Sequence, residues 1–132
     1  MASLLDGAGQ VKMGTLEDAT VHLQRVHGIV ERMAIAVRGQ QETAPFRQQI
    51  HRAATPLVGL LKPQFALIAD QVSGLLLVAS RGGGDQARLR ALREAVAQIR
   101  MQLEIAVAKV KELHALEKPP IDDAKGRRAD SS

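Results

Sequence analysis

The chain contains no cysteine, no tryptophan and no tyrosine, and phenylalanine occurs only twice in 132 residues. Without cysteine it can form neither disulfides nor thiolate metal sites, which fits a reducing compartment. Without a set of aromatic rings it lacks the surface on which single-stranded nucleic acids stack their bases. Any hydrophobic core must therefore be filled almost entirely by leucine, valine, isoleucine and alanine.

A cluster of charge of one sign is also missing, although the formal net charge is +4. Basic residues alternate with acids, as in Arg93-Glu94 and Lys111-Glu112. A nucleic-acid interface needs clustered lysine and arginine without acids between them. We therefore predict that nucleic acid is not a partner.

Long uninterrupted apolar runs are absent as well. The most apolar stretch, 57–79, contains Lys62, Pro63 and Asp70, which would lie in the middle of a bilayer. Residues 1–6 lack the basic region and the apolar run of a signal peptide. These features predict a cytoplasmic protein without a membrane span.

Apolar residues instead form three stripes in which steps of three and four residues alternate. The stripes comprise Leu16, Ala19, Leu23, Val26, Val30, Met33 and Val37 in the first segment, Leu61, Phe65, Ile68, Val72, Leu75 and Ala79 in the second, and Leu89, Leu92, Val96, Ile99, Leu103, Ala106, Val110 and Leu113 in the third. This spacing places each stripe on one narrow face of an α-helix, which must pack against other helices.

The stripes predict an all-α fold of three long, heptad-patterned helices at about 15–39, 44–80 and 85–117. Short polar or glycine-rich connections join them, so neighbouring helices are expected to be antiparallel. The predicted domain is an up-down-up bundle that covers residues 15–118.

The two ends of the chain lack this periodicity. Residues 1–14 are glycine-rich and predict a flexible N-terminus, and a pair of prolines predicts that the last helix stops before a disordered tail at 119–132. Pro56 and Pro63 interrupt the second helix. Because the apolar stripe resumes after both, the pattern favours bends rather than breaks.

The second helix has more apolar surface than a three-helix bundle needs. The residues outside its stripe are Leu67, Leu76, Leu77 and Val78. An unused apolar surface of this kind is typical of an interface. It predicts a homodimer, in which two chains form a larger helical bundle, unless the first helix covers these residues.

Most arrangements that support chemistry are missing. His22 and His27 are five residues apart, which separates them by about 140° around a helix. Gly82, Gly83 and Gly84 follow no strand and precede no Gly-Lys-Ser/Thr sequence, so they predict a turn and not a phosphate loop. We therefore expect no metal and no cofactor. Enzymatic activity stays open, although these residues favour a protein that is not an enzyme.

One local motif stands apart, in the segment Ile-His-Arg-Ala-Ala-Thr-Pro-Leu-Val-Gly-Leu at 50–60. It resembles the H-box of sensor histidine kinases, a His-Glu-Leu-Arg-Thr-Pro-Leu pattern with an apolar residue three positions further on. The matching residues are His51, Thr55, Pro56, Leu57 and Leu60. In that family the motif lies on the first helix of an antiparallel hairpin, and two hairpins dimerise into a four-helix bundle.

The resemblance implies that His51 accepts a phosphoryl group and that a response regulator is a partner. Arg52 occupies a position that is acidic in the family, and no ATP-binding domain follows in this sequence. It therefore implies a phosphotransfer protein or a degenerate dimerisation module rather than a self-sufficient kinase. The residues themselves favour a first hypothesis, a non-catalytic assembly or adaptor module that binds itself and another protein, with phosphotransfer as the alternative.

Overall fold

Four α-helices build the part of the chain that the computed structural model describes, residues 5–116. They are α1 (Gly7–Arg38), α2 (Ala44–Leu61), α3 (Ala66–Ser80) and α4 (Asp85–Leu113). Each helix packs against the next, and α4 packs against α1, whereas the diagonal pairs α1–α3 and α2–α4 do not meet. The helices therefore close a four-membered ring around one core.

The helices run alternately up and down. The start of α2 lies beside the end of α3, and the α2–α3 loop lies against residues 102–109 of α4. Helices α1 and α4 have 32 and 29 residues, whereas α2 and α3 have 18 and 15. At 1.5 Å per residue the long pair spans about 45 Å and the short pair about 25 Å, so α1 and α4 extend past the α2–α3 loop.

The all-α class is confirmed, but the prediction of three helices in an up-down-up bundle is wrong. The predicted helix 44–80 is two helices, because the chain reverses at Pro63. This proline has no N–H to donate, and in a continued helix its ring would crowd the Gly59 carbonyl. Phe65 then leaves the helical region, with φ −136° and ψ 57°. Pro56, in contrast, is exposed and stays inside α2.

The outer ends of the bundle also differ from the prediction. Helix α1 begins at Gly7 rather than at 15, because the Asp6 side chain caps it by accepting a hydrogen bond of 2.7 Å from the Gly9 N–H. Thr15 lies inside the helix. At the other end α4 stops at Leu113 rather than at about 117. The predicted tail at 119–132 lies outside the described residues.

The apolar stripes form the core, as their spacing predicts. All six of the earlier members of the first stripe are buried, from Leu16 to Met33, and the third stripe is buried from Leu89 to Leu103. Leu113, the last member of the third stripe, is 71% exposed. It lies on the part of α4 that extends past the short hairpin, where no third helix covers it.

A buried arginine organises the turn between α3 and α4. Among residues 5–116, Arg88 is the only charged residue that is buried. Its Nη1 donates to Asp85 Oδ1 at 2.6 Å, and its Nη2 donates to the carbonyls of Arg81 at 2.7 Å and Gly83 at 3.2 Å. Gly83 has a φ of +120°, which only glycine adopts without strain. Gly82, Gly83 and Gly84 thus form a turn between two antiparallel helices, as the sequence predicts, and Arg88 holds the backbone of this turn.

Candidate functional site

His51 lies on the solvent side of α2. The buried face of this helix is formed by Ile50, Ala54, Leu57 and Leu61. His51 follows Ile50 by one residue, which turns it about 100° away from the core. Its side chain is exposed, so the imidazole is accessible from outside the bundle.

Thr55 lies beside the His51 ring, one turn further along α2. The Thr55 hydroxyl donates to the His51 carbonyl at 2.6 Å, and the same oxygen lies 3.4 Å from His51 Nδ1. A hydroxyl has one proton, so towards the ring Thr55 can only accept. This contact favours a proton on Nδ1 and leaves Nε2 as the nitrogen with a free lone pair.

A cavity of about 220 Å³ lies beside His51 in the groove between α2 and α3. Its walls are Arg47, Gln48, His51, Ala79 and Ser80. Arg47 Nε is buried and has no hydrogen-bond partner within residues 5–116. None of the described residues that line the cavity is acidic. The groove therefore suits an anion, but it offers no carboxylate to take a proton from the ring.

The predicted interface residues separate into two pairs. Leu67 is 80% exposed and Leu77 is 62% exposed. Leu76 and Val78 are half-buried and pack against the core of the same chain. The reversal at Pro63 explains this, because α3 now lies between α2 and α4 and its flanks are covered. The surplus apolar surface of α3 is thus reduced to Leu67 and Leu77.

Helix α4 extends this surface next to Leu67. Ile105 is 48% exposed and borders a cavity of about 300 Å³ together with Leu67, Phe65 and Ala106. Met101, one turn before Ile105 on the same face of α4, is 54% exposed. We call Leu67, Met101 and Ile105 the α3–α4 patch. Sequence reasoning missed Met101 and Ile105, although both are large apolar residues outside the third stripe.

A polar cluster lies at the end of the bundle where α1 begins and α4 ends. His114 Nδ1 lies 3.2 Å from Asp6 Oδ1, and His114 Nε2 lies 3.2 Å from Lys12 Nζ. The Asp6 N–H also donates to the His114 carbonyl at 2.9 Å. The hydrogen bond from the Gly9 N–H, assisted by His114 and Lys12, lowers the pKa of Asp6 below its usual value. The Asp6 cap is a local signal that sequence reasoning missed. The contacts of Asp6 and Lys12 with His114 join opposite ends of the chain, and no local pattern reveals them.

Two other kinds of site are not found in the described part of the chain. Residues 5–116 contain no group of three histidine, cysteine, aspartate or glutamate side chains that could hold a metal ion. None of the four helices is both long enough and apolar enough to cross a membrane.

Comparisons with protein-family models, with curated proteins and with solved structures find no match to this chain. The features of the described residues that bear on function are therefore the exposed α3–α4 patch and the exposed ring of His51.

Proposed function

We propose that this protein is a non-catalytic helical module that assembles with a second copy of itself and with another protein. The observation that carries the proposal is the exposure of Leu67, which remains 80% accessible although the core of the chain is closed. Scattered single apolar residues are common on protein surfaces. Leu67, however, lies beside Ile105, with Met101 one turn further along α4, and such a cluster is typical of an interface.

The rest of the surface supports the choice of α3. This helix is the most apolar of the four, and Leu77 lies further along its outer side. Asp70 is the only charged residue within it. The outer side of α3 therefore loses little polar hydration when another chain covers it.

Replacing Leu67 with glutamate is expected to shift a dimer to the monomer. Burial of a leucine contributes about 1.5–3 kcal/mol, so its loss should raise the dissociation constant more than about tenfold. Analytical ultracentrifugation across a concentration series measures this. The fold should be unaffected, because Leu67 makes little contact within its own chain, and circular dichroism checks that the melting temperature is preserved.

Ile35→Glu is the matched control. Ile35 is 60% exposed on α1, which is diagonal to α3 in the bundle. The Ile35→Glu substitution introduces the same charge as Leu67→Glu at a comparably exposed apolar position, and it should leave the dimer intact. A wild-type monomer at high concentration, or dissociation by Ile35→Glu and not by Leu67→Glu, would contradict the proposal.

Phosphotransfer through His51 is the second candidate function, and the accessible ring beside Arg47 favours it. In this reaction Nε2 would form a P–N bond while the P–O bond to an aspartate of a response regulator breaks. The carboxylate leaves, and the Nδ1 proton passes to water. Arg47 could offset charge on the phosphoryl group. Because no acid lines the groove, we expect acceptance from a phosphorylated donor and no autophosphorylation from ATP.

Incubation with phosphoramidate, a small phosphoryl donor, tests this candidate without requiring the regulator. Mass spectrometry should locate one phosphoryl group on His51, and His51→Gln should abolish it. His22→Gln, which removes a half-buried histidine on α1, should leave the labelling unchanged. Equal labelling of His22 and His51 would show ordinary imidazole reactivity and would remove the candidate.

A further inference from the structure

Two charges of opposite sign, neither of them paired within residues 5–116, flank the α3–α4 patch. Asp70 is exposed on α3, one turn from Leu67, and Lys109 is exposed on α4, one turn from Ile105. The ion pairs found within residues 5–116 are Arg88–Asp85 and Arg93–Glu31, and His114 contacts Asp6. Neither Asp70 nor Lys109 takes part in one, so within the described part of the chain both are exposed without a charged partner.

The antiparallel packing of α3 and α4 places these charges on opposite sides of the apolar centre. From Leu67 to Asp70 the chain runs towards the α3–α4 turn. From Ile105 to Lys109 it runs away from that turn. Leu67 and Ile105 border one cavity, and Lys109 lines it as well, on the side of Ile105 away from the α3–α4 turn. Leu67 and Ile105 mark the level of the patch along the bundle. The acid therefore lies on one side of this level on α3, and the base lies on the other side on α4.

We infer that the occupant of the patch is a second copy of this chain, bound so that Asp70 of each copy faces Lys109 of the other. This inference rests on the proposed self-association. In a two-fold dimer the same surface is used twice, so it must be complementary to itself. A two-fold axis through the apolar centre, perpendicular to the line from Asp70 to Lys109, exchanges the two positions and satisfies both charges.

The charge pattern fits this occupant better than a partner of uniform charge. An acidic partner would call for a base-only border, and a basic partner would call for an acid-only border. One acid and one base on opposite sides of an apolar centre complement an identical surface in a single orientation. Charges of this kind at the rim of an interface determine orientation and partner choice more than affinity.

Charge reversal at the two positions gives a sharp test. Asp70→Lys alone places two lysines opposite each other, and Lys109→Asp alone places two aspartates opposite each other. Each variant should therefore lose at least about tenfold in dimer affinity. When the two variants are mixed, both contacts are again between opposite charges. Native mass spectrometry should then find the mixed dimer in clear excess over either self-dimer.

The doubly reversed chain, with Asp70→Lys and Lys109→Asp together, should regain the affinity of the wild type. Both side chains are exposed, so circular dichroism should give unchanged melting curves for all three variants. Random mixing of the two single variants, with Leu67→Glu still dissociating the dimer, would overturn the reciprocal pairing and leave the proposed function intact. If Leu67→Glu does not dissociate the dimer, the proposed function and this inference both fail.

Discussion

Replacing Leu103 with aspartate is expected to unfold the whole bundle. Leu103 is 2% exposed, near the middle of the third stripe, and faces α1. A carboxylate at this position would lose its hydration without gaining a partner. A domain of this size has a net stability of about 5–15 kcal/mol, and only one core supports it. Far-ultraviolet circular dichroism should show loss of helix at room temperature, and a cooperative melting curve like that of the wild type would contradict the core assignment.

The milder change Leu103→Ala is expected to lower the free energy of unfolding without unfolding the bundle. Truncation of a packed leucine costs about 2–5 kcal/mol, measured by urea unfolding. Leu113→Ala is the matched control, because Leu113 belongs to the same stripe of the same helix but is 71% exposed. Its cost should stay within about 0.5 kcal/mol, the range of surface substitutions. Equal effects at both positions would show that stripe membership, and not burial, determines the response.

Replacing Arg88 with alanine is expected to destabilise the protein by about 1.5–3 kcal/mol, the range for hydrogen bonds to a charged group. The change removes the donors that hold the carbonyls of Arg81 and Gly83, and it leaves Asp85 without its cation. The exposed half of the Asp85 carboxylate limits the loss, because water can solvate it. Arg88→Lys should recover only part of the stability, since one ammonium cannot reproduce the planar fork.

Arg93→Ala provides the comparison on the same helix. Arg93 donates to both carboxylate oxygens of Glu31, at 3.0 and 2.8 Å, and its hydrogen bond lowers the pKa of Glu31. Both side chains are nevertheless more than 40% exposed, and pairs at the protein surface contribute about 0–1 kcal/mol. Urea unfolding should therefore separate the two arginines clearly. A larger effect at Arg93 than at Arg88 would mean that the turn does not depend on the buried guanidinium.

The position of His51 was partly predictable from the sequence. The apolar positions Ile50 and Leu57 orient α2, and this orientation by itself predicts an exposed ring at 51. The groove beside His51 was not predictable, because Ser80 and Ala79 reach it only through the reversal at Pro63. Of the three residues in the α3–α4 patch, the sequence predicted only Leu67 as part of an interface. Ile105 joins Leu67 through the antiparallel packing of two helices, which a single helical stripe does not encode.

The sequence by itself determined the all-α class, most of the core and the starts of α2 and α4, at the turns near 39–44 and 80–85. These features follow from local rules, since heptad spacing puts apolar residues on one face and glycine or polar segments end a helix. Heptad spacing continues through Pro63 because both α2 and α3 face the same core, so the stripe could not distinguish a bent helix from two antiparallel helices.

Only the tertiary structure decided the number of helices, the early start of α1 and the residues left for an interface. Each of these depends on contacts between residues far apart in the chain. His114, from the other end of the chain, contacts the Asp6 side chain that caps α1. Leu76 and Val78 are half-buried because α3 folds back between α2 and α4. The free energy of such long-range contacts outweighs the weak local preference of a glycine-rich segment or of a proline-interrupted helix. Local patterns therefore cannot predict where these contacts form.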